Sequence, residues 1–154
     1  MRKRHKVLHP LSHHHHHALV AALKLKRAGT EKSVESAEEV REALKHFWTP
    51  GGQEHFREEE EILLPAFARF ASVDQPIIHE MLTEHVKIRA RIQEIFDSPE
   101  PELKKLNELG VILEAHVRKE ERIIFPMIED TLSEQQLEKL APYFHMNHNK
   151  TENN

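Results

Sequence analysis

The sequence predicts an all-α protein built as an up-down-up-down four-helix bundle. Apolar residues recur at helical spacing in four long segments, and the residues around them are mostly Ala, Leu, Glu, Lys and Arg, which favour helices. Only four glycines occur in 154 residues, and the breakers between the segments are short. Short connections make consecutive helices antiparallel neighbours, which is the geometry of such a bundle.

Each predicted helix begins near a capping residue or a proline and ends at a breaker. The four starts are Pro10 or Ser12, a position near Ser36, Pro76, and Glu100 or Glu102, and the four ends lie near Ala28, Phe70, Phe96 and Leu132. The second helix is expected to be interrupted at 49–52, where the sequence reads TPGG. Pro65 and Pro126 lie late in the second and fourth helices, where each should kink the helix or begin a new turn.

The chain is expected to form one domain with short extensions. We expect residues 1–10 to form a basic lead-in, residues 11–132 the four-helix domain, and residues 133–154 a short helix with a flexible polar tail. The net charge of −4 comes from interleaved acids and bases, which disfavours nucleic acid as a partner. No segment of the sequence has the apolar length of a membrane span. The chain has no cysteine, which excludes thiolate ligands and favours a cytoplasmic location.

One eleven-residue motif occurs twice, as HFREEEEILLP at 55–65 and as HVRKEERIIFP at 116–126. In each copy a His precedes a Glu by four residues, so both side chains lie on one face of a helix. The apolar stripe of each helix passes through that face and directs four side chains toward the bundle interior: His55, Glu59, His116 and Glu120. An isolated buried carboxylate costs several kcal/mol, so a compensating partner is expected.

Histidines on the other two helices interrupt apolar stripes in the same way. His85 lies in the stripe of the third helix, and the stripe of the first passes through His15 and His16, within a run of five histidines. A lone core histidine is more often a hydrogen-bonded structural residue than a ligand, but contributions from four helices together favour a metal site. His79 is about 120° away from the stripe and is a weaker candidate.

The remaining histidines and glutamates of these segments are expected at the edges of the stripes or in solvent. The edge or outside positions of the first helix are His13, His14 and His17, and Glu58 and Glu61 belong to the solvated face of the second. A surface position is also expected for His5, His9, His46, His145 and His148.

The donor set indicates which metals would suit the interior. Four histidines and two carboxylates without a thiol suit iron, manganese or zinc, because magnesium and calcium prefer shells made of oxygen alone. Each carboxylate can bridge, so the simplest arrangement has two metals that share Glu59 and Glu120.

This set, with a His on the first and third helices and His-x-x-x-Glu on the second and fourth, resembles the hemerythrin-like, or HHE cation-binding, domain family over roughly residues 4–130. The resemblance implies a four-helix bundle with a non-haem di-iron centre whose two glutamates bridge the ions. It implies the ligands His15 or His16, His55, Glu59, His85, His116 and Glu120.

Two positions differ from the respiratory hemerythrins. Those proteins carry a second histidine on the third helix where this chain has Met81, and their last acidic ligand falls where this chain has Glu121. One metal is therefore expected to lack a histidine unless His15 and His16 each serve a different ion. His79 is the other candidate for the histidine that this metal lacks.

The resemblance implies binding, sensing or protective reactions with O2, peroxide or nitric oxide at two iron ions, with manganese or zinc as alternatives. Two other interpretations stay open, a di-metal oxidoreductase such as a peroxide-decomposing enzyme and a helical interaction module without metal.

Overall fold

The computed structural model describes residues 3–144, and within them it confirms the all-α bundle. The first bundle helix is α1 (His9–Arg27), which follows a 3-10 turn at Lys6–Leu8. The second bundle helix is made of three segments, α2 (Ala37–Phe47), α3 (Gln53–Glu58) and α4 (Leu64–Ala68). The third is the single helix α5 (Pro76–Asp97). The fourth is made of α6 (Leu103–Lys119) and α7 (Phe125–Thr131). A short helix, α8 (Glu134–Glu138), and a 3-10 turn at Ala141–Tyr143 follow.

The second bundle helix is interrupted where the sequence predicted an interruption. Thr49 has φ −114° and ψ 113°, which is outside the helical region. The residue before a proline is disfavoured in the α conformation because the proline ring crowds its backbone, and Pro50 follows directly. The chain bends at Trp48–Gly52 and resumes as α3.

The two late prolines each follow a π-helical turn. These turns are Glu59–Leu63 in the second bundle helix and Glu120–Ile124 in the fourth. A proline has no N–H and displaces the carbonyl four residues earlier, and a wider turn accommodates both effects without ending the helix. Pro65 and Pro126 thus modify their helices, as the sequence predicted.

The first and fourth bundle helices pack closely. Gly110 permits the approach, because a Cβ at this position would lie 2.7 Å from the Ala22 carbonyl oxygen. Asn107 Nδ2 donates to the carbonyls of Leu25 at 2.9 Å and Ala28 at 3.1 Å, which satisfies backbone groups left free at the end of α1.

Two apolar clusters fill the bundle interior. One includes Leu11, Phe67, Met81 and Phe125 toward one end, and the other includes Ala22, Leu44, Ile88 and Leu109 toward the opposite end. Within residues 3–144, the buried polar side chains are His15, His55, Glu58, Glu59, His85, His116 and Glu120. Six of these seven form a continuous polar layer in the middle of the bundle.

The structure differs from two expectations, the solvent exposure of Glu58 and the extent of the lead-in segment before the bundle. Glu58 is buried, whereas Glu61 is exposed as expected. Glu58 lines a surface depression together with Pro142 and Tyr143, so the segment after α8 returns over this part of the second bundle helix. Val7 and Leu8 are buried in the core, so packed structure begins before residue 9.

Two further expectations concern the polar tail of the chain and the absence of a membrane span. His145, His148 and the rest of the polar tail lie outside the described residues. Within residues 3–144, every helix is too short or too polar to span a bilayer.

Candidate metal centre

The second and fourth bundle helices each present a His/Glu pair to the interior. His55 Nε2 lies 3.0 Å from Glu59 Oε2, and His116 Nε2 lies 3.0 Å from Glu120 Oε2. Both pairs have the four-residue spacing that stacks side chains on one helix face. The two glutamates are fully buried.

The first and third helices bring one histidine each to the same layer. His15 Nε2 lies 2.7 Å from Glu120 Oε1 and 3.0 Å from His55 Nε2. His85 Nε2 lies 3.1 Å from Glu59 Oε1 and 3.3 Å from Glu120 Oε2. Six side chains from four helices therefore converge, and both glutamates contact histidines from other helices.

These six residues form two overlapping groups of four, and within each group the ligand atoms lie within 4.8 Å of one another. The first group is His15, His55, Glu59 and Glu120, and the second is Glu59, His85, His116 and Glu120. Both glutamates belong to both groups. Each histidine belongs to one group only.

The layer leaves several buried donor atoms without a hydrogen bond. Both carboxylate oxygens of Glu59 and Nε2 of His116 are buried and make no hydrogen bond of acceptable geometry, although imidazole nitrogens lie about 3 Å from each glutamate. Two ligand atoms bound to one metal at about 2.1 Å and about 90° apart would be about 3.0 Å from each other. The 3.0 Å between Nε2 of His15 and Nε2 of His55 is a hydrogen-bond distance that also matches two ligands of one ion.

Three of the four histidines are oriented by a carboxylate on the outer ring nitrogen. Nδ1 of His15 lies 2.6 Å from Glu121 Oε2, Nδ1 of His85 lies 2.6 Å from Glu60 Oε2, and Nδ1 of His116 lies 2.8 Å from Glu84 Oε1. An Nδ1–H that donates to a carboxylate leaves Nε2 as the free ligand atom and makes it more basic. The sequence prediction did not assign this role to Glu60, Glu84 or Glu121.

A cation lies behind each of these outer carboxylates. Arg89 Nη2 lies 3.2 Å from Glu60, Lys119 Nζ donates to Glu84, and Arg4 Nη2 lies 3.4 Å from Glu121. Ser12 also donates its hydroxyl to Glu121 at 2.8 Å. The charge of each outer carboxylate is thus balanced on the side away from the centre.

His55 differs from the other three. Its Nδ1 is buried and has no hydrogen-bond partner. His14 stacks on it instead, with ring centroids 4.6 Å apart, and His14 in turn stacks on Phe47 at 5.2 Å. Burial, followed by the proximity of His55 and His15, lowers the pKa of His14 to about 3, so this ring is neutral at physiological pH.

The protonation of the layer reflects its mixture of acids and bases. Burial disfavours charge on His85, but Glu120, Glu59 and Glu60 outweigh it and raise the pKa of His85 to about 11. In the same way, burial opposes charge on His116, while Glu120 and Glu84 raise its pKa to about 9. In the metal-free chain these imidazoles carry protons, which occupy the place of a metal cation.

The pKa values of the remaining layer residues shift in the matching directions. The pKa of His15 is raised well above its usual value, because Glu120, Glu121 and Glu59 outweigh the effect of burial. Burial and Glu120 act to raise the pKa of Glu59, but His55 and His15 lower it to about 2. Burial is likewise outweighed at Glu120, where His116 holds the pKa well below its usual range. Both central glutamates are therefore ionised and available as ligands.

A small cavity of about 10 Å³ adjoins the layer and is lined by His15, His55 and His116 among others. A groove of about 340 Å³ lies outside it, between α1 and α2. His14 and Phe47 line both spaces. These two stacked rings separate the centre from the groove.

The structure does not bring every predicted ligand to the centre. His16 is exposed and belongs to neither group, because adjacent residues on an α-helix are rotated by about 100° and His15 already points inward. His79 is also exposed and pairs with Asp74 at 2.9 Å. Met81 is fully buried in an apolar cluster, so two histidines serve each group without a further one.

Comparison with known proteins gives one match. A family model described as the hemerythrin HHE cation binding domain matches residues 8–128, which is more than half of the chain. No curated protein and no solved structure matches the chain at a significant level. The matched range includes both His/Glu motifs and both single histidines of the layer.

Proposed function

The chain belongs to the hemerythrin HHE cation-binding domain family, and from this premise we propose that its buried layer holds two metal ions bridged by Glu59 and Glu120. His15 and His55 would hold one ion, and His85 and His116 would hold the other. The observation that carries the proposal is the pair of overlapping four-ligand groups that share both glutamates.

Iron is the metal that we propose for both positions. Imidazole and carboxylate ligands without thiolate suit iron, with manganese and zinc as alternatives. Two divalent ions against two ionised carboxylates leave positive charge that an anionic or reducible small ligand can balance. Iron in such a site supplies one-electron chemistry with O2, peroxide or nitric oxide.

Residues around the centre orient the ligand histidines and shield the centre from the groove. The outer carboxylates hold Nδ1–H of three histidines and so direct each Nε2 into the centre. Phe56 stacks on His85, with ring centroids 3.9 Å apart and ring planes 5° apart, and fixes that ring further. His14 and Phe47 lie on the groove side, where a small ligand would approach. The protein is thereby suited to bind or sense O2, peroxide or nitric oxide. Its cytoplasmic location stays a prediction.

Metal analysis combined with the optical spectrum tests the proposal. Protein from iron-replete cells should contain about two metal ions per chain and show near-ultraviolet charge-transfer bands that shift when azide is added. The double variant Glu59→Ala, Glu120→Ala should lose the metal, whereas Glu61→Ala, an exposed member of the same glutamate run, should keep it. Unchanged metal content in the double variant would overturn the proposal.

The same samples separate the other interpretations. Peroxide consumption that disappears with the metal would assign an enzyme. A wild-type protein without metal would support the helical interaction module, and a colourless zinc protein would exclude the redox function.

A further inference from the structure

The run of five histidines at the start of α1 divides into distinct environments. His15 faces the centre, and His14 lies between the centre and the groove. His13, His16 and His17 are exposed. The proposed function uses none of these exposed rings.

His13 and His17 lie one helical turn apart and their rings meet outside the bundle. Nε2 of His13 and Nε2 of His17 are 3.3 Å apart, with ring centroids 4.9 Å apart and ring planes at 79°. Two nitrogens bound to one metal at about 2.1 Å would be about 3.3 Å apart at an angle of about 104°, close to the tetrahedral value. The side chains need no rearrangement of the backbone to chelate an ion.

We propose that His13 and His17 form a second metal site, which is exposed and separate from the buried centre. Its two imidazole nitrogens suit copper(II), nickel(II) or zinc(II). Divalent iron and manganese bind such a site weakly, because affinity rises from manganese through iron and nickel to copper and neither residue supplies a carboxylate. Without metal, one Nε2–H donates to the other ring.

This site does not depend on the buried one. Neither histidine belongs to a ligand group of the buried layer, and both side chains are exposed. A metal can therefore reach them without passing His14 or Phe47. The chelate arises because residues four apart share a helix face.

Retention of the untagged protein on immobilised Ni²⁺ tests the site, because a solid support reaches only exposed histidines. Wild-type protein should be retained and should elute with imidazole. The double variant His13→Ala, His17→Ala should elute at a clearly lower imidazole concentration, whereas His16→Ala, an exposed neighbour in the same run, should elute as the wild type does. Retention of the double variant at the wild-type imidazole concentration would overturn the proposal, since other histidines would then be responsible.

A calorimetric titration with Ni²⁺ gives a second readout. Protein whose buried centre is already loaded should take up one further ion per chain, and either single variant, His13→Ala or His17→Ala, should weaken that step at least about tenfold because the chelate is lost. Equal affinity in the single variants would contradict the site. The variant without Glu59 and Glu120 should keep its retention on Ni²⁺, so failure of the buried centre is distinguishable from failure of this site.

Discussion

Glu59 and Glu120 occupy the same position in two matching π-helical turns. Each begins its turn, and the carbonyl of each accepts a hydrogen bond from the backbone N–H five residues later. That donor directly precedes a proline, Pro65 in one helix and Pro126 in the other. Turns of this kind are rare and often occur at functional sites. The two glutamates shared by both ligand groups are therefore presented by the same local structure on two helices.

Replacement of an outer carboxylate should weaken metal binding without removing a ligand. Glu84 accepts from Nδ1 of His116 at 2.8 Å. Glu84→Gln leaves the side-chain shape but removes the charge that orients the imidazole and raises its basicity, so metal affinity should fall about 10–100-fold. Competition with a chelator of known affinity measures the change.

The matched control for this variant lies one turn earlier on the same helix. Glu80 contacts Lys119 at 3.4 Å and is absent from both ligand groups. Glu80→Gln should therefore leave the affinity near the wild-type value. An equal loss in both variants would show that surface charge, rather than the orientation of His116, controls the affinity.

The two metal positions should release their ions at different rates. His85 and His116 both have a carboxylate on Nδ1, whereas His55 has none. The ion held by His15 and His55 should leave first when a chelator is added, and native mass spectrometry should detect chains with one metal. Glu121→Gln should accelerate this first step only, because Glu121 orients His15. Loss of both ions with one rate constant would contradict the predicted difference in release rate.

Metal loading near pH 7.5 should release protons. The raised pKa values of His15, His85 and His116 mean that these imidazoles are protonated in the folded metal-free chain at this pH. A ligand Nε2 must be deprotonated, while the lowered pKa values of the two glutamates mean that they release none. A net release of protons is expected, and calorimetry in buffers of different ionisation enthalpy measures it. Uptake of protons when metal binds would contradict the predicted proton release.

The helices and the inward histidines could be predicted from the sequence because both follow from periodicity. Apolar stripes identify which face is buried, and His85 interrupts such a stripe alone. Periodicity did not decide between His15 and His16, since a stripe defines a face only to within about one residue. In the structure, the rotation of α1 buries His15 and exposes His16.

The outer carboxylates could not be predicted, because their partners lie on other helices. Glu60 and His85 are 25 residues apart, and His15 and Glu121 are 106 residues apart. A sequence pattern reports one helix at a time and carries no information on which surface residue of a neighbouring helix reaches a ring. Glu60 also lies in a run of four glutamates, where composition alone indicates solvent exposure.

His14 should control the rate at which a small ligand reaches the metals. It lines both the outer groove and the cavity beside the centre. His14→Ala should raise the rates of azide binding and release together and leave the equilibrium affinity near the wild-type value, which is the behaviour expected of a gate. Stopped-flow spectroscopy on the loaded protein measures both rates. His46→Ala is the control, because His46 lines the groove but not the cavity, and equal acceleration by both variants would exclude a specific gate at His14.

Gly110→Ala should destabilise the fold, although alanine favours helices over glycine by about 1 kcal/mol. The new Cβ would lie 2.7 Å from the Ala22 carbonyl oxygen and 2.8 Å from the Lys26 backbone nitrogen, so the first and fourth helices must separate. Overpacking of this kind costs about 1–3 kcal/mol in the free energy of unfolding, which chemical denaturation measures. Val111→Ala, at an exposed neighbour, should change it by less than about 0.5 kcal/mol. A variant more stable than the wild type would show that the helices are not in close contact. Because α1 also carries His15, the separation should weaken metal binding in the same variant.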